Sequence, residues 1–90
     1  MKQGEATLIN PSGLHARPAA QFVQTAGRFK GTSVKIIKES REIDAKSVIG
    51  IMSLGAKKGT VLTVRAEGPD ETEAVKTLVD LIASGFGEGE

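Results

Sequence analysis

Gly13-Leu14-His15-Ala16-Arg17-Pro18-Ala19-Ala20 is the stretch whose reading decides the fold, because an extended segment ends in it and a helix begins. From Ala16 to Ala26 the apolar Ala19, Phe22, Val23 and Ala26 fall at i, i+3, i+4 and i+7, one face of a helix. Pro18 fits only a first helical turn, where its missing N–H would have had no partner anyway. The helix therefore starts at about Ala16, with His15 at or next to its N-cap. Gly13 supplies the backbone freedom for the turn that precedes it.

That position has chemical consequences. The first N–H groups of a helix lack internal partners, and the macrodipole adds positive character there. A phosphate would meet donors and a favourable field, and Arg17 adds a guanidinium that forks onto phosphate oxygens. The same field disfavours a protonated imidazole, so the ring of His15 is expected to keep a lone pair available for phosphorus. Against this stands the plainer reading, in which His15 is a helix cap or a solvated side chain and Arg17 a surface charge.

Working outward, 90 residues make one small domain with a single modest core. A net charge of +1 gives no general drive toward nucleic acid or anionic membrane. With no cysteine and one histidine, neither a disulfide nor a thiolate or imidazole-rich metal centre is expected. No apolar run approaches membrane-spanning length and the start does not read as a signal peptide, so a cytoplasmic chain without membrane insertion is the default.

Upstream, Glu5 to Ile9 reads as a first strand, and Asn10-Pro11-Ser12-Gly13 as the loop into the His15 stretch. Ser12 in that loop is placed either to reach a bound phosphate or to tie down its own backbone. Downstream, Thr32 to Lys38 and Glu42 to Asp44 read as an antiparallel hairpin around Glu39-Ser40-Arg41. Ser47 is an N-cap candidate and Gly55 a stop, bracketing a short helix that is apolar nearly all round. Ile51 and Leu54 are expected inward, and Val48, Ile49 and Met52 partly exposed. These last three are either a docking patch or more core. Gly50 and Gly55 are not followed by the Lys-Ser/Thr of a nucleotide-binding loop. Thr60 to Glu67 alternates as a fourth strand. Asp70 with Glu73 has the spacing of a capping box for a last helix with Val75, Leu78, Val79 and Ile82 as its stripe, and residues 85–90 read as a frayed tail.

The order β-α-β-β-α-β-α implies an α+β open-faced sandwich, a four-stranded, mainly antiparallel sheet with three helices on one face. The other face should be comparatively polar, with Thr7, Lys35 and Arg65. An RNA-binding sheet of similar layout would display aromatics, yet Phe22, Phe29 and Phe86 all fall outside the strands.

Two motifs together, Gly13-Leu14-His15-Ala16-Arg17-Pro18-Ala19 and Lys46-Ser47 through Met52-Ser53-Leu54-Gly55, resemble those of the HPr family. These are histidine phosphocarriers of the bacterial phosphoenolpyruvate-dependent sugar phosphotransferase system. The resemblance spans essentially the whole chain. It implies that His15 accepts a phosphoryl group on Nδ1 from phosphorylated enzyme I and passes it to sugar-specific enzyme II A-domains. It further implies that Arg17 and the helix start around Ala16 hold the phosphate. Such a protein is a carrier in a transfer chain rather than a stand-alone enzyme, needs no cofactor, and acts as a monomer. The resemblance also implies regulatory phosphorylation of Ser47 by an HPr kinase/phosphorylase, with the product recognised by a LacI-type catabolite regulator. Ala20, Val48, Ile49 and Met52 would form the shared docking face. Two departures stand out: the span from His15 to Ser47 is one residue longer than in familiar members, and Ile49 stands where many Gram-positive members have Met. The alternative is a non-carrier or nitrogen-branch paralogue that regulates by protein binding.

Overall fold

The computed structural model describes residues 1–87. Its elements run β1 (Lys2–Thr7), α1 (Ala16–Ala26), β2 (Ser33–Lys38), β3 (Arg41–Asp44), α2 (Val48–Met52), β4 (Val61–Glu67) and α3 (Glu71–Ala83), closed by a 3-10 turn at Gly85–Gly87. The strands form one sheet in the order β1-β4-β2-β3, every pairing antiparallel. The expected sandwich is the observed architecture.

The alternation in β4 sets the two faces. Leu62, Val64 and Ala66 are buried under the helices, whereas Val61, Thr63, Arg65 and Glu67 point to the bare side. Register carries this across the sheet: Ile36 lies opposite both Val64 and Ile43, and Lys35 opposite Arg65. On the bare face Arg65 Nη1 pairs with Glu42 Oε2 at 2.6 Å and Arg65 Nε donates to Gln3 Oε1 at 3.2 Å. The polar face is therefore laced rather than merely solvated.

The core lies between sheet and helices. Phe22 of α1 and Leu78 and Ile82 of α3 have no exposed surface and meet Leu8, Ile36, Leu62 and Val64 in one cluster. Full burial of such side chains is worth about 1.5–3 kcal/mol each.

Three expectations need correction. The first strand starts and ends earlier than Glu5 to Ile9: the β1–β4 ladder runs from Lys2 to Thr7. Leu8 still bonds sideways, donating to Thr60 O at 2.8 Å and accepting from Gly59 N at 2.7 Å, so the chain stays clamped up to the loop. The Asp70–Glu73 capping box does not form. Asp70 makes no side-chain cap bond, and Glu71 Oε1 instead accepts from Gly68 N at 3.2 Å. The tail does not fray at Gly85. Phe86 is 4% exposed, and Gly85 sits so close to Ile9 that a Cβ there would lie 3.1 Å from the Ile9 side chain. The aromatic ring gains enough burial to hold this turn, a gain that Gly-rich composition conceals. The rest of the expected tail, 88–90, lies outside the described residues.

Candidate functional site

The loop from Leu8 to His15 is built by backbone bonds and one buried side chain. Gly13 N donates to Asn10 O at 3.0 Å, and Asn10 Nδ2 donates to Gly13 O at 2.7 Å. Gly13 has φ +69°, and a Cβ there would lie 2.4 Å from Ala56 O, so only glycine fits both the conformation and the space. Leu14 N then donates to that same Ala56 oxygen at 3.1 Å. The chain emerges with His15 as the N-cap of α1, extended at φ −80°, ψ −169° and making no side-chain cap bond.

His15, Ala16 and Arg17 are exposed, while Pro18 and Ala19 turn inward. The first intrahelical bond runs from Ala19 N to His15 O at 3.0 Å. The N–H groups of Ala16 and Arg17 therefore have no acceptor inside the helix, and Pro18 has no N–H at all. No acidic residue occupies the first turn. The result is a helix end of positive character with two backbone donors, where the exposed His15 and Arg17 are sequence neighbours of those donors. Ser12 is exposed in the turn just before it.

The second cluster is α2. Ser47 is its N-cap, and its Oγ accepts from Gly50 N at 3.0 Å. A Cβ on Gly50 would lie 2.6 Å from Ile43 Cγ2, so the missing side chain lets the helix settle against β3. Ile51 and Leu54 are buried, whereas Ile49 is 82% and Met52 42% exposed and Val48 is half-buried. A five-residue helix has too few faces to bury Val48, Ile49, Ile51 and Met52 together, and the outward ones form a small patch. From Ser47 the helix runs back toward His15, its exit Leu54-Gly55-Ala56 meeting Gly13 and Leu14. Helices α1 and α2 pack on each other, and Ala20 is half-buried on α1.

The sequence did not announce what holds the end of α2. Lys38 Nζ donates to Leu54 O at 3.0 Å, and Arg41 donates to Ser53 O at 2.8 Å and to Ser53 Oγ at 3.1 Å. Ser53 Oγ in turn donates to Gly50 O at 2.6 Å. Two cations from the β2–β3 hairpin thus satisfy the carbonyls at the helix exit. These partners are 12 and 16 residues apart in sequence, beyond any local pattern.

The chemistry gathers at helix ends and not in a cavity. A depression of about 190 Å³ lies on the bare sheet face, between Met1, Ser33, Lys35, Glu42, Arg65 and Glu67. Among the described residues no group of three or more His, Cys, Asp or Glu could hold a metal ion. No described helix is long and apolar enough to cross a membrane.

This layout has close counterparts. The family described as "PTS HPr component phosphorylation site" matches residues 2–84. The chain belongs to the HPr family. It is 48% identical to phosphocarrier protein HPr of Cupriavidus necator over 90 residues, covering all of both chains. It is 47% identical to phosphocarrier protein HPr of Neisseria meningitidis over 83 residues, 92% of each chain. Among solved structures, the crystal structure of HPr-C-His from Thermoanaerobacter tengcongensis superimposes with a TM-score of 0.91 at 52% identity, covering 98% of both chains. HPr of Bacillus anthracis superimposes at 0.84 with 40% identity, covering 90% of this chain and 95% of that one. The fold and family expected from the two motifs are those found, and with them the general role of HPr proteins in the phosphotransferase system.

Proposed function

We propose that His15 is the phosphoryl acceptor, taking the group from phosphorylated enzyme I and passing it to enzyme II A-domains that serve sugar uptake. The observation that carries this is the start of α1: an exposed imidazole as N-cap, no side-chain cap, no acid in the first turn, and Arg17 beside it. Transfer needs the Nδ1 lone pair aimed at phosphorus. The new N–P bond forms as the bond between phosphorus and its donor breaks, and the donor keeps that electron pair. The N–H groups of Ala16 and Arg17 and the Arg17 guanidinium take up the charge on the equatorial oxygens, with Ser12, exposed in the turn just before the helix, proposed as a further ligand. Few ligands in a shallow site suit a carrier, because a deep cradle would stabilise the bound phosphoryl group and stall the next transfer.

Ser47 is proposed as a regulatory phosphorylation site for an HPr kinase/phosphorylase. A phosphoserine there adds about −1.5 to −2 charge beside an apolar patch. Ala20, Val48, Ile49 and Met52 are proposed as the docking face for enzyme I and enzyme II A-domains, so that charge would weaken the same partners. It would also create a feature for a LacI-type catabolite regulator to recognise. The role is that of a monomeric cytoplasmic carrier.

The test is intact mass of the wild type and of His15→Ala after incubation with phosphoenolpyruvate and catalytic enzyme I. One acid-labile phosphate on the wild type and none on the folded variant is expected. Phosphate on the variant, or none on the wild type with a cognate enzyme I, would overturn the assignment.

A further inference from the structure

The amide of Asn10 is unusual in this molecule. It has no exposed surface, in a residue type seldom fully buried. Its orientation is fixed by chemistry, because only the nitrogen can face the Gly13 carbonyl, 2.7 Å away. The return bond from Gly13 N to Asn10 O, at 3.0 Å, closes a four-residue ring of backbone and side chain. The Asn10 Oδ1 is buried with no donor among the described residues. The unpaired buried amide oxygen is destabilising and offsets part of what the Nδ2 bond contributes, so stability alone does not account for an amide at this position. What the amide contributes is geometry.

That geometry leads to the imidazole. The turn closed by Asn10 holds Gly13 at φ +69°, against Ala56 O on its outer side. One residue later Leu14, 5% exposed, donates to Ala56 O, and the next residue is His15. No freely rotating residue separates the ring at Asn10 from the N-cap. We infer that Asn10 is a positioning residue for phosphoryl exchange, its buried amide setting the turn that delivers His15 to the start of α1. The inference rests on the reading of His15 as acceptor. In-line transfer is sensitive to displacements of about 1 Å, which can lower a rate by about a hundredfold.

The experiment compares the full chain with Asn10→Ala, and with Thr32→Val as a control for general destabilisation. Thr32 Oγ1 accepts from Asp70 N at 3.0 Å, at the opposite end of the sheet. For Asn10→Ala, phosphoryl acceptance at saturating enzyme I is expected to fall roughly tenfold or more, with KM for enzyme I within about twofold. The His15 ring signals in nitrogen-correlated NMR should shift, and the Leu14 amide should exchange faster. Thr32→Val should lower the unfolding midpoint and leave all three readouts in place. Acceptance within about twofold of wild type in folded Asn10→Ala would overturn the inference. Equal slowing by Thr32→Val at the same loss of midpoint would do so too. If Asn10→Ala does not fold, Asn10→Ser carries the same readouts. If the wild type accepts no phosphate, the acceptor reading fails by itself. The ring signals and Leu14 exchange then decide the positioning claim, and unchanged values would refute it.

Discussion

The starts of α1 and α2 are finished in opposite ways. At α1 the N-cap His15 makes no side-chain cap bond, Pro18 has no N–H, and the N–H groups of Ala16 and Arg17 have no acceptor within the helix. At α2 the N-cap hydroxyl of Ser47 already holds Gly50 N. The first leaves its end donors without an acidic side chain in the first turn or a side-chain cap. The second is closed by the hydroxyl of Ser47, the side chain proposed above for regulatory phosphorylation. Length widens the difference. Eleven residues in α1 align enough peptide dipoles to matter, whereas five in α2 align few. A phosphate at Ser47 would act mainly through its charge beside Ile49 and Met52, not through capture by the helix.

The sharpest way to break this comparison is at His15, where exchange for Ala should remove acceptance altogether. Next comes Ser47→Asp, a charge placed at the closed end. It should slow acceptance from enzyme I by about tenfold, the scale of a like-charge mismatch at an interface rim, while the unfolding curve keeps its slope. Stopped-flow or quench-flow transfer rates check it. An unchanged rate would mean that α2 and the start of α1 do not share a partner surface. Ser47→Ala asks the converse question. It removes the cap without adding charge and should reduce the unfolding free energy by about 1 kcal/mol in urea titration. Acceptance should be unaltered. If acceptance also falls, the cap itself shapes the docking face.

Much of this was legible because it is local. Pro18 fixes where α1 can start, Ser47 and Gly50 make a cap within one turn, and Leu62, Val64 and Ala66 alternate. The inward turn of Ile51 and Leu54, with Ile49 and Met52 outside, follows from the size of α2. What was hidden is tertiary. The grip of Lys38 and Arg41 on the exit of α2 depends on where a hairpin folds. Asn10 next to Pro11 reads as a loop residue, and nothing in its neighbours tells that its amide is buried. Phe86 lies among glycines that suggest fraying, and only its burial in the core cluster, a tertiary fact, explains why it stays.

The third helix start gives the smallest effect and completes the contrast. At α3 the expected cap Asp70 is idle, and Glu71 accepts from Gly68 N while pairing with the Met1 ammonium at 3.0 Å. The hydrogen bond from that ammonium, then the one from Gly68, hold the Glu71 carboxyl below its ordinary range. The unfolded chain therefore takes up this proton at higher pH than the folded one. The carboxylate's contribution is complete above the ordinary carboxylate range, about pH 4.3, and is lost as pH falls through the lowered folded value. Glu71→Gln should lower the urea midpoint slightly at neutral pH, with the gap to wild type steady down to about pH 5 and closing in stronger acid. Added salt should narrow it as well, since the pair is partly exposed. A gap that persists in acid would assign the effect to side-chain shape rather than charge. A gap that closes would show that the start of α3 is satisfied by an anion from within the chain, which is the provision that the start of α1 lacks.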